Sequence, residues 1–344
     1  MKKAIFTVIL CLFALLSGCV GDKKADNSVN EEFDVQAVTA TIEENEPVEN
    51  DFIVDGTVLI KYVGTEKSVI VPEGVENIGA FAFENMNFIS DVTMPSSVNY
   101  IDFCAFKGCT GLSNVFIASE LPVTIGDYAF KDCSSLVTIS LPDNSNIGSY
   151  SFQGCTSISD MSIPYGTVQI GEGTFDGCSS LSTVNIPDTV KAIGSYAFSD
   201  CVSLEHVQMP DSVSEIGDMA FFNCKNLIGV KLSQNIVTIG AKAFFMCESM
   251  SHIELPLSTT TISEGAFNSC RSLESMIITS SVVRMGSLAF AYCNSLEDVY
   301  IENSNVEIGE DSFKGCNNLT LYNMWYISST HTYAQKNNIP FEIF

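Results

Sequence analysis

Histidine, tryptophan and basic residues are scarce in this sequence of 344 residues. It contains 3 histidines and 1 tryptophan, and its 16 Lys and Arg residues stand against 41 Asp and Glu, for a formal charge of −25. Proteins that bind nucleic acid need Lys and Arg to neutralise phosphate, so this balance argues against a DNA or RNA partner. A single tryptophan leaves few aromatic platforms for a sugar-binding groove.

The three histidines, His206, His252 and His331, are the only candidate imidazole bases or metal ligands. A catalytic pocket needs a nucleophile and an orienting carboxylate beside its base, and no such set converges in this sequence. The glycines recur at fixed intervals as turn residues and form no phosphate-binding loop. We therefore predict no enzymatic activity, no cofactor and no metal site.

The N-terminus has the composition of a bacterial export signal. Two lysines precede an almost unbroken apolar run over residues 4–16, too short to span a bilayer comfortably as a helix. The run ends in the sequence L-S-G-C, which resembles a bacterial lipobox and predicts a signal peptide over residues 1–18. The thiol of Cys19 is the nucleophile that takes a diacylglyceryl group. The alternative is an ordinary secretory signal with an incidental cysteine.

The acidic segment that follows is predicted to be a tether. Residues 19–50 contain many acids, few apolar residues and no sustained period, so they cannot bury enough surface to offset the entropy of ordering. We predict a lipidated, disordered segment that holds a folded domain at the outer surface of a bacterial cell envelope. The mature chain is then anchored to the membrane by lipid and has no transmembrane helix.

The rest of the chain repeats itself with a period of 23 residues. Each coil has a phenylalanine three residues before a cysteine, and Met86 takes the cysteine position in the first coil. Such a repeat indicates a solenoid, because one coil buries its apolar face only by stacking on its neighbours. The phenylalanines are Phe83, Phe106, Phe130, Phe152, Phe175, Phe198, Phe221, Phe244, Phe267, Phe290 and Phe313. The cysteines are Cys109, Cys133, Cys155, Cys178, Cys201, Cys224, Cys247, Cys270, Cys293 and Cys316.

Around these positions the consensus reads I-G-x-x-A-F-x-x-C-x-x-L-x-x-V-x-I-P, as in residues 193–210. This pattern resembles the BspA-like branch of the leucine-rich-repeat family. The resemblance implies a curved repeat solenoid of α/β type over residues 75–326, with one short parallel β-strand per coil and about 11 coils of 23 residues. It also implies exposure at the surface of bacteria or some protists, with adhesion to host or neighbouring-cell proteins.

The V-x-I segment of each coil has the alternation of a β-strand. Val184 and Ile186 lie two residues apart and are expected to point inward, whereas Asn185 points out. Proline follows this segment in six coils, where its missing N–H ends the ladder. The I-G segment is expected to turn the chain with its glycine at positive φ, although Asp102 and Ser263 replace that glycine in two coils.

Both ends of the array need caps, because they expose unpaired strand edges and apolar side chains. At the N-terminal end an Asp-Gly pair lies between two alternating apolar runs, which predicts a β-hairpin cap over residues 51–74. At the other end we predict a cap over residues 327–344 that includes a short helix. Trp325 and Tyr326 are expected to cover the final coil.

The repeated cysteines are predicted to be buried, reduced thiols. Stacked coils place them about 4.8 Å apart, but parallel side chains keep their Cβ atoms beyond the usual range for a disulfide. A disulfide ladder stays open as the alternative. Cys104 lies outside the column, at a position that other coils fill with Tyr128 or Tyr196, and is expected to be partly exposed.

A partner is expected to bind the concave strand face, where one outward residue per coil alternates with core positions. The column runs from Thr93 to Asn323 and is mostly polar and uncharged. Its aromatic members are candidate anchors, because exposed aromatic side chains commonly anchor interfaces; scattered apolar residues without a function are the alternative. The candidate binding residues are Phe116, Asn185, Gln208, Lys231, Glu254, Ile277 and Tyr300.

The sequence as a whole predicts a lipid-anchored surface protein that mediates protein–protein interaction, including adhesion. Two alternatives remain open at this point. One is a structural scaffold of the cell envelope that merely displays its repeats, and the other is a carbohydrate-binding surface module.

Overall fold

The computed structural model describes residues 51–344. The predicted signal peptide over 1–18, the lipidated Cys19 and the tether over 19–50 lie outside the described residues. Within residues 51–344 no helix is long and apolar enough to span a bilayer. This part of the chain forms a parallel β-solenoid with repeats of about 23 residues, as the sequence predicts, and it has about 12 turns against the 11 expected.

The described chain begins with an antiparallel hairpin of β1 (Phe52–Asp55) and β2 (Val58–Tyr62). In the connecting turn Gly56 has φ of 62°, a left-handed conformation that glycine adopts without a Cβ penalty. β2 pairs in parallel with the first coil. The Tyr62 ring stacks on Phe83, with ring centroids 5.4 Å apart. The hairpin thus covers one strand edge and the first phenylalanine of the array.

The V-x-I segments form parallel strands that pair in four successive short sheets, here together called the first ladder. Its pairs are in register, so that Val207 lies beside Val230 and Val230 beside Ile253. The alternation of the sequence places one side chain of each segment outside and its neighbours inside. The strands are β3 (Ser68–Ile70), β5 (Asp91–Met94), β7 (Asn114–Ile117), β9 (Thr138–Ile139), β11 (Asp160–Ser162), β13 (Thr183–Asn185), β15 (His206–Gln208), β17 (Gly229–Lys231), β19 (His252–Ile253), β21 (Ser275–Ile278), β23 (Asp298–Ile301), β25 (Thr320–Asn323) and β26 (Phe341–Ile343).

A second ladder of two-residue strands runs through the x-I segments that precede the repeated glycine. It is an addition to the predicted single strand per coil. The residue after each strand extends the pairing with the preceding coil. The Gly194 amide, for example, donates to the Ile170 carbonyl at 2.9 Å. The strands are β4 (Asn77–Ile78), β6 (Tyr100–Ile101), β8 (Thr124–Ile125), β10 (Asn146–Ile147), β12 (Gln169–Ile170), β14 (Ala192–Ile193), β16 (Glu215–Ile216), β18 (Thr238–Ile239), β20 (Thr261–Ile262), β22 (Arg284–Met285) and β24 (Glu307–Ile308).

The coils contain little helix, because left-handed residues interrupt the turns between the two ladders. Cys201 donates its amide to the Phe198 carbonyl, and Leu204 donates to the Cys201 carbonyl. Asp200, inside the first of these two turns, has φ of 56°. A residue in this region cannot belong to a right-handed helix, so the turns do not propagate. The one α-helix of residues 51–344 is α1 (Ser329–Asn337), outside the coils.

The eleven repeated phenylalanines form a continuous buried column. Their rings are stacked from coil to coil with centroid distances of 4.6 to 5.7 Å and interplanar angles of at most 14°. Ten of the eleven have no measurable exposure, and Phe313 is 3% exposed. The prediction that these side chains line the inside of the solenoid is confirmed.

The ten repeated cysteines are free thiols, and all are buried. Each donates its S–H to the carbonyl oxygen of the phenylalanine in the preceding coil; the Sγ···O distance is 2.9 Å from Cys109 to Phe83 and 3.1 Å from Cys224 to Phe198. The column thus links successive coils by side-chain hydrogen bonds as well as by packing. The expectation for Cys104 is wrong, since it is 3% exposed and therefore buried.

The repeated glycine does not take positive φ, which corrects the expectation for the I-G segment. The left-handed residue lies two positions later, and Phe81, Tyr196 and Leu288 hold that position at φ of 58–59°. The glycine is needed for another reason, the close approach of successive coils. A Cβ on Gly240 would lie 2.5 Å from the carbonyl carbon of Gly217 in the preceding coil, nearer than real Cβ contacts.

The C-terminal end is capped by α1 and β26. Ser328 caps the helix N-terminus by accepting the His331 amide, and Asn338 ends it at φ of 56°. Tyr333 of the helix packs edge-on against Phe313, with ring centroids 6.0 Å apart. Tyr333 therefore covers the last phenylalanine, a role that the sequence had suggested for two other residues. The expectation for Trp325 and Tyr326 is wrong, since both are exposed.

Candidate binding surface

The outward-facing residues of the first ladder form a line of side chains, one per coil, here called the central column. Ladder pairing places them side by side in consecutive coils, as for Thr93 beside Phe116, Asn185 beside Ser162, and Ile277 beside Tyr300. The column consists of Ile70, Thr93, Phe116, Ser140, Ser162, Asn185, Gln208, Lys231, Glu254, Ile277, Tyr300, Tyr322 and Glu342.

All seven candidate binding residues belong to this column. Six of them are exposed, and Tyr300 is half-buried. The column begins one coil earlier than the sequence suggested, at Ile70, which pairs with Thr93. Exposure of one side chain per coil gives a partner a regular row of contacts along the array.

The prediction of the outward residues is wrong at the C-terminal end of the central column. Asn323 is fully buried and donates to the Ile301 carbonyl, whereas Tyr322 pairs with Tyr300 and occupies the outward position. The physical reason is the length of this coil, in which Leu321 pairs with Val299 after an interval of 22 residues and not 23. Because side chains alternate along a strand, a deletion of one residue exchanges the inward and outward positions.

The middle of the first ladder contains an open depression of about 550 Å³. It is lined by Ser162, Asn185 and Gln208 of the central column and by Asp160 and His206 beside them. The Asn185 amide lies 3.4 Å from the Ser162 hydroxyl. Met161, Val184 and Ile186 also line it, so the depression offers both hydrogen-bonding groups and apolar surface to a partner.

The two ends of the central column carry apolar side chains. At the N-terminal end Ile70 and Phe116 are 74% and 62% exposed. At the other end Ile277 is 56% exposed, and the rings of Tyr300 and Tyr322 stack at 4.6 Å with an interplanar angle of 17°. Large apolar side chains in such exposure are the usual anchors of protein interfaces.

The histidines and cysteines do not assemble a reactive centre in the described chain. His206 and His252 lie on the outer side of the first ladder, two coils apart, and His252 is 3.4 Å from Glu254. Residues 51–344 contain no group of three His, Cys, Asp or Glu side chains that could hold a metal ion. Burial raises the pKa of Cys104 to about 11 and that of Cys109 to about 12, so both thiols are protonated near neutral pH.

Comparison with known proteins identifies the repeat. A family model described as "BspA type Leucine rich repeat region" matches residues 62–149, 145–248 and 226–339. No curated protein matches the sequence. Among solved structures, the chain is similar to a leucine-rich repeat protein from Bacteroides ovatus, with 26% identity and a TM-score of 0.56 over 80% of this chain and 84% of that chain.

The chain is also similar to two further solved structures. One is a leucine rich cell surface protein from Faecalibacterium prausnitzii, 27% identical, with a TM-score of 0.47 over 84% of this chain and 95% of that chain. The other is a leucine-rich repeat protein from T. pallidum, 28% identical, with a TM-score of 0.41 over 56% of this chain and 82% of that chain.

Proposed function

The chain belongs to the BspA-type leucine-rich-repeat family, and from this premise we propose that it is a lipid-anchored bacterial surface protein that binds another protein through the central column. The contacts are made by Phe116, Asn185, Gln208, Lys231, Glu254, Ile277 and Tyr300. Adhesion to a host or neighbouring cell is the role that this arrangement suits.

The main support for this proposal is the difference in residue type between the inward-facing and the outward-facing positions of the coils. The inner columns repeat phenylalanine and cysteine almost without change, whereas the central column is exposed and varied. A row of different side chains on a rigid, regular frame is suited to a specific partner, because apolar anchors and polar contacts are held at fixed spacing.

The lipid anchor rests on the sequence L-S-G-C that ends at Cys19 and on the acidic tether that follows. Expression in a bacterium with radiolabelled palmitate tests it. We expect labelled protein in the membrane fraction, loss of label in Cys19→Ala, and retained label in the control Cys11→Ala. Equal labelling of the wild type and Cys19→Ala contradicts lipid attachment at this residue.

A binding screen against extracellular-matrix proteins, bacterial surface proteins and glycans tests the proposed function. The soluble form begins at residue 20 and is immobilised at its tether. We expect saturable binding of a protein, weakened by at least about tenfold in Phe116→Ala/Tyr300→Ala, since truncation of an interface anchor costs more than 1 kcal/mol. The matched control Val168→Ala/Val237→Ala removes two exposed apolar side chains beside the second ladder.

Three outcomes of this screen contradict the proposal in different ways. Absence of any saturable ligand supports the structural scaffold, and binding of glycans alone supports a carbohydrate-binding module. Intact affinity in Phe116→Ala/Tyr300→Ala, with unchanged thermal unfolding, places the interface elsewhere on the chain.

A further inference from the structure

The C-terminal part of the first ladder differs from the rest in both shape and charge. Its outward line runs from Ile277 through Tyr300 to Tyr322, and Phe344 packs edge-on against Tyr300 with ring centroids 5.3 Å apart and planes at 86°. Phe344 itself is 47% exposed. These four side chains form a partly exposed apolar strip, here called the tyrosine strip.

Carboxylates surround the tyrosine strip on the same face. Glu254 and Glu342 continue the central column on either side of it, and Asp298 lies two residues before Tyr300 on β23. Asp298 pairs with Thr320, two residues before Tyr322, and burial together with a hydrogen bond to Asp298 raises the pKa of the Tyr322 hydroxyl. Glu274 and Glu297 directly precede β21 and β23 and are exposed.

Positive charge is nearly absent from this region. The strands β19, β21, β23, β25 and β26 contain no Lys or Arg, and their only basic side chain is His252, which faces Glu254. Arg271 lies in the turn before β21, and Arg284 lies on β22 of the second ladder, 3.4 Å from Glu307. Lys231 and His252 lie beside Glu254, whereas Asp298 and Glu342 have no Lys or Arg on the strands next to them.

The N-terminal part of the same ladder shows the opposite arrangement. Its strands β3 to β9 carry one acid, Asp91, and that carboxylate accepts hydrogen bonds from Ser90 at 2.6 Å and from Asn114 at 2.7 Å. These hydrogen bonds lower the pKa of Asp91. The acid there is hydrogen-bonded within the protein, whereas the Glu254 and Glu342 carboxylates beside the tyrosine strip are exposed to solvent.

We propose that the tyrosine strip and its carboxylates bind an extended, Lys- or Arg-rich segment of the partner protein, an inference that rests on the proposed function. Long basic side chains lay their aliphatic stems on Ile277 and the tyrosine rings, and their charged heads reach the carboxylates. A cation over a tyrosine face adds further attraction. Strong carboxylate fields also steer a basic partner during encounter.

Charge favours a basic segment over other candidate ligands of the tyrosine strip. A second copy of the chain carries a formal charge of −25 and brings acids against acids. Anionic lipid and nucleic acid are repelled for the same reason. A neutral glycan can stack on the tyrosine rings, but it has no positive charge to pair with the surrounding carboxylates.

Fluorescence anisotropy with synthetic peptides tests the inference on the full chain in mild detergent. The probe is a labelled peptide of about nine residues that alternates lysine and valine, long enough when extended to cross the strip. Its control has glutamate in place of lysine. We expect saturable binding of the lysine peptide only, with affinity falling by at least about tenfold between low salt and about 0.5 M NaCl.

Two matched variants locate the site. Asp298→Asn/Glu342→Gln removes two charges beside the strip and is expected to weaken binding by about tenfold. Glu215→Gln/Glu264→Gln removes two exposed charges elsewhere and is expected to leave affinity unchanged. Tyr300→Leu/Tyr322→Leu keeps the apolar surface but removes the ring faces, and is expected to weaken binding by about threefold.

The inference is overturned by absence of lysine-peptide binding, by equal binding of the glutamate peptide, or by equal weakening in the two charge variants. A partner whose capture depends on Phe116 but is unaffected by Asp298→Asn/Glu342→Gln overturns this inference and leaves the proposed function standing. Thermal unfolding of each variant shows whether a lost affinity comes from the site or from the fold.

Discussion

The phenylalanine column inside the solenoid and the central column outside it advance one coil at a time, yet they differ completely in composition. The inner column holds one residue type in eleven coils, and the outer one holds nine types in thirteen positions. Inside, each ring except the first and the last is packed between two phenylalanine rings at about 5 Å, so a smaller or larger side chain disturbs both neighbours. Outside, solvent tolerates any side chain, which leaves this column free for recognition.

The largest expected effect is a loss of folding stability at alkaline pH, because the repeated cysteines ionise more readily in the unfolded chain than in the folded one. Nine of these thiols have a pKa raised by burial, which keeps them protonated when folded, whereas unfolded thiols ionise near pH 8.5. Stability is therefore full below pH 8.5 and falls above it, by about 1.4 kcal/mol per pH unit for each thiol.

Urea unfolding between pH 8 and about 9.5 checks this loss. Cys224→Ala is the control, because it removes one titrating thiol and is expected to reduce the slope with pH by one proton. A disulfide ladder has no thiols to ionise, so a stability that does not change over this range contradicts free cysteines.

The next effect is a break in the phenylalanine column. Phe198→Ala leaves a cavity between two buried rings and is expected to lower the free energy of unfolding by about 3–5 kcal/mol. Phe222→Ala is the matched control, because Phe222 stacks on Phe245 outside the column and is only half-buried. Equal losses in the two variants, measured by urea unfolding, contradict the special role of the column.

A smaller loss is expected where successive coils touch. In Gly240→Ala the new Cβ meets the backbone of the preceding coil at 2.5 Å, and the expected cost is about 1–3 kcal/mol. Gly171→Ala is the control, because its Cβ has no neighbour nearer than 3.2 Å and that neighbour is the Thr174 side chain. Equal melting temperatures for the two variants refute the close-approach explanation.

A gain in stability is expected from Met246→Gly. Met246 has φ of 60°, at a position that eight of the other ten coils fill with glycine, asparagine or aspartate. Relief of the left-handed strain contributes about 1–2 kcal/mol, and the larger entropy of the unfolded glycine offsets part of it. The net expectation is an increase of up to about 1 kcal/mol, and a decrease on thermal unfolding contradicts it.

The smallest effect is expected in the central column. Gln208→Ala removes an exposed side chain with no protein hydrogen bond of its own, so stability is expected to change by less than about 0.5 kcal/mol. A loss comparable to that of Phe198→Ala would erase the contrast between the two columns. Differential scanning calorimetry of both variants makes the comparison.

The sequence predicts the inner columns well, because period and residue type recur together. Phe83 to Phe313 and Cys109 to Cys316 are spaced almost evenly, and only a stacked solenoid buries them all. The outward position of Gln208 follows from alternation within one strand. Prediction failed at Asn323, because the interval from Val299 to Leu321 is 22 residues and not the 23 assumed from the repeat, which changes the side chain that faces out.

The sequence by itself determined the period, the stacked phenylalanines and cysteines, and the outward column as far as Tyr300, since each depends only on spacing along the chain. Only the tertiary structure decided the second ladder, the left-handed position two residues after the glycine, and the cover that Tyr333 provides for Phe313. These features depend on distances between coils, and the sequence of one coil does not show how closely its neighbour packs against it.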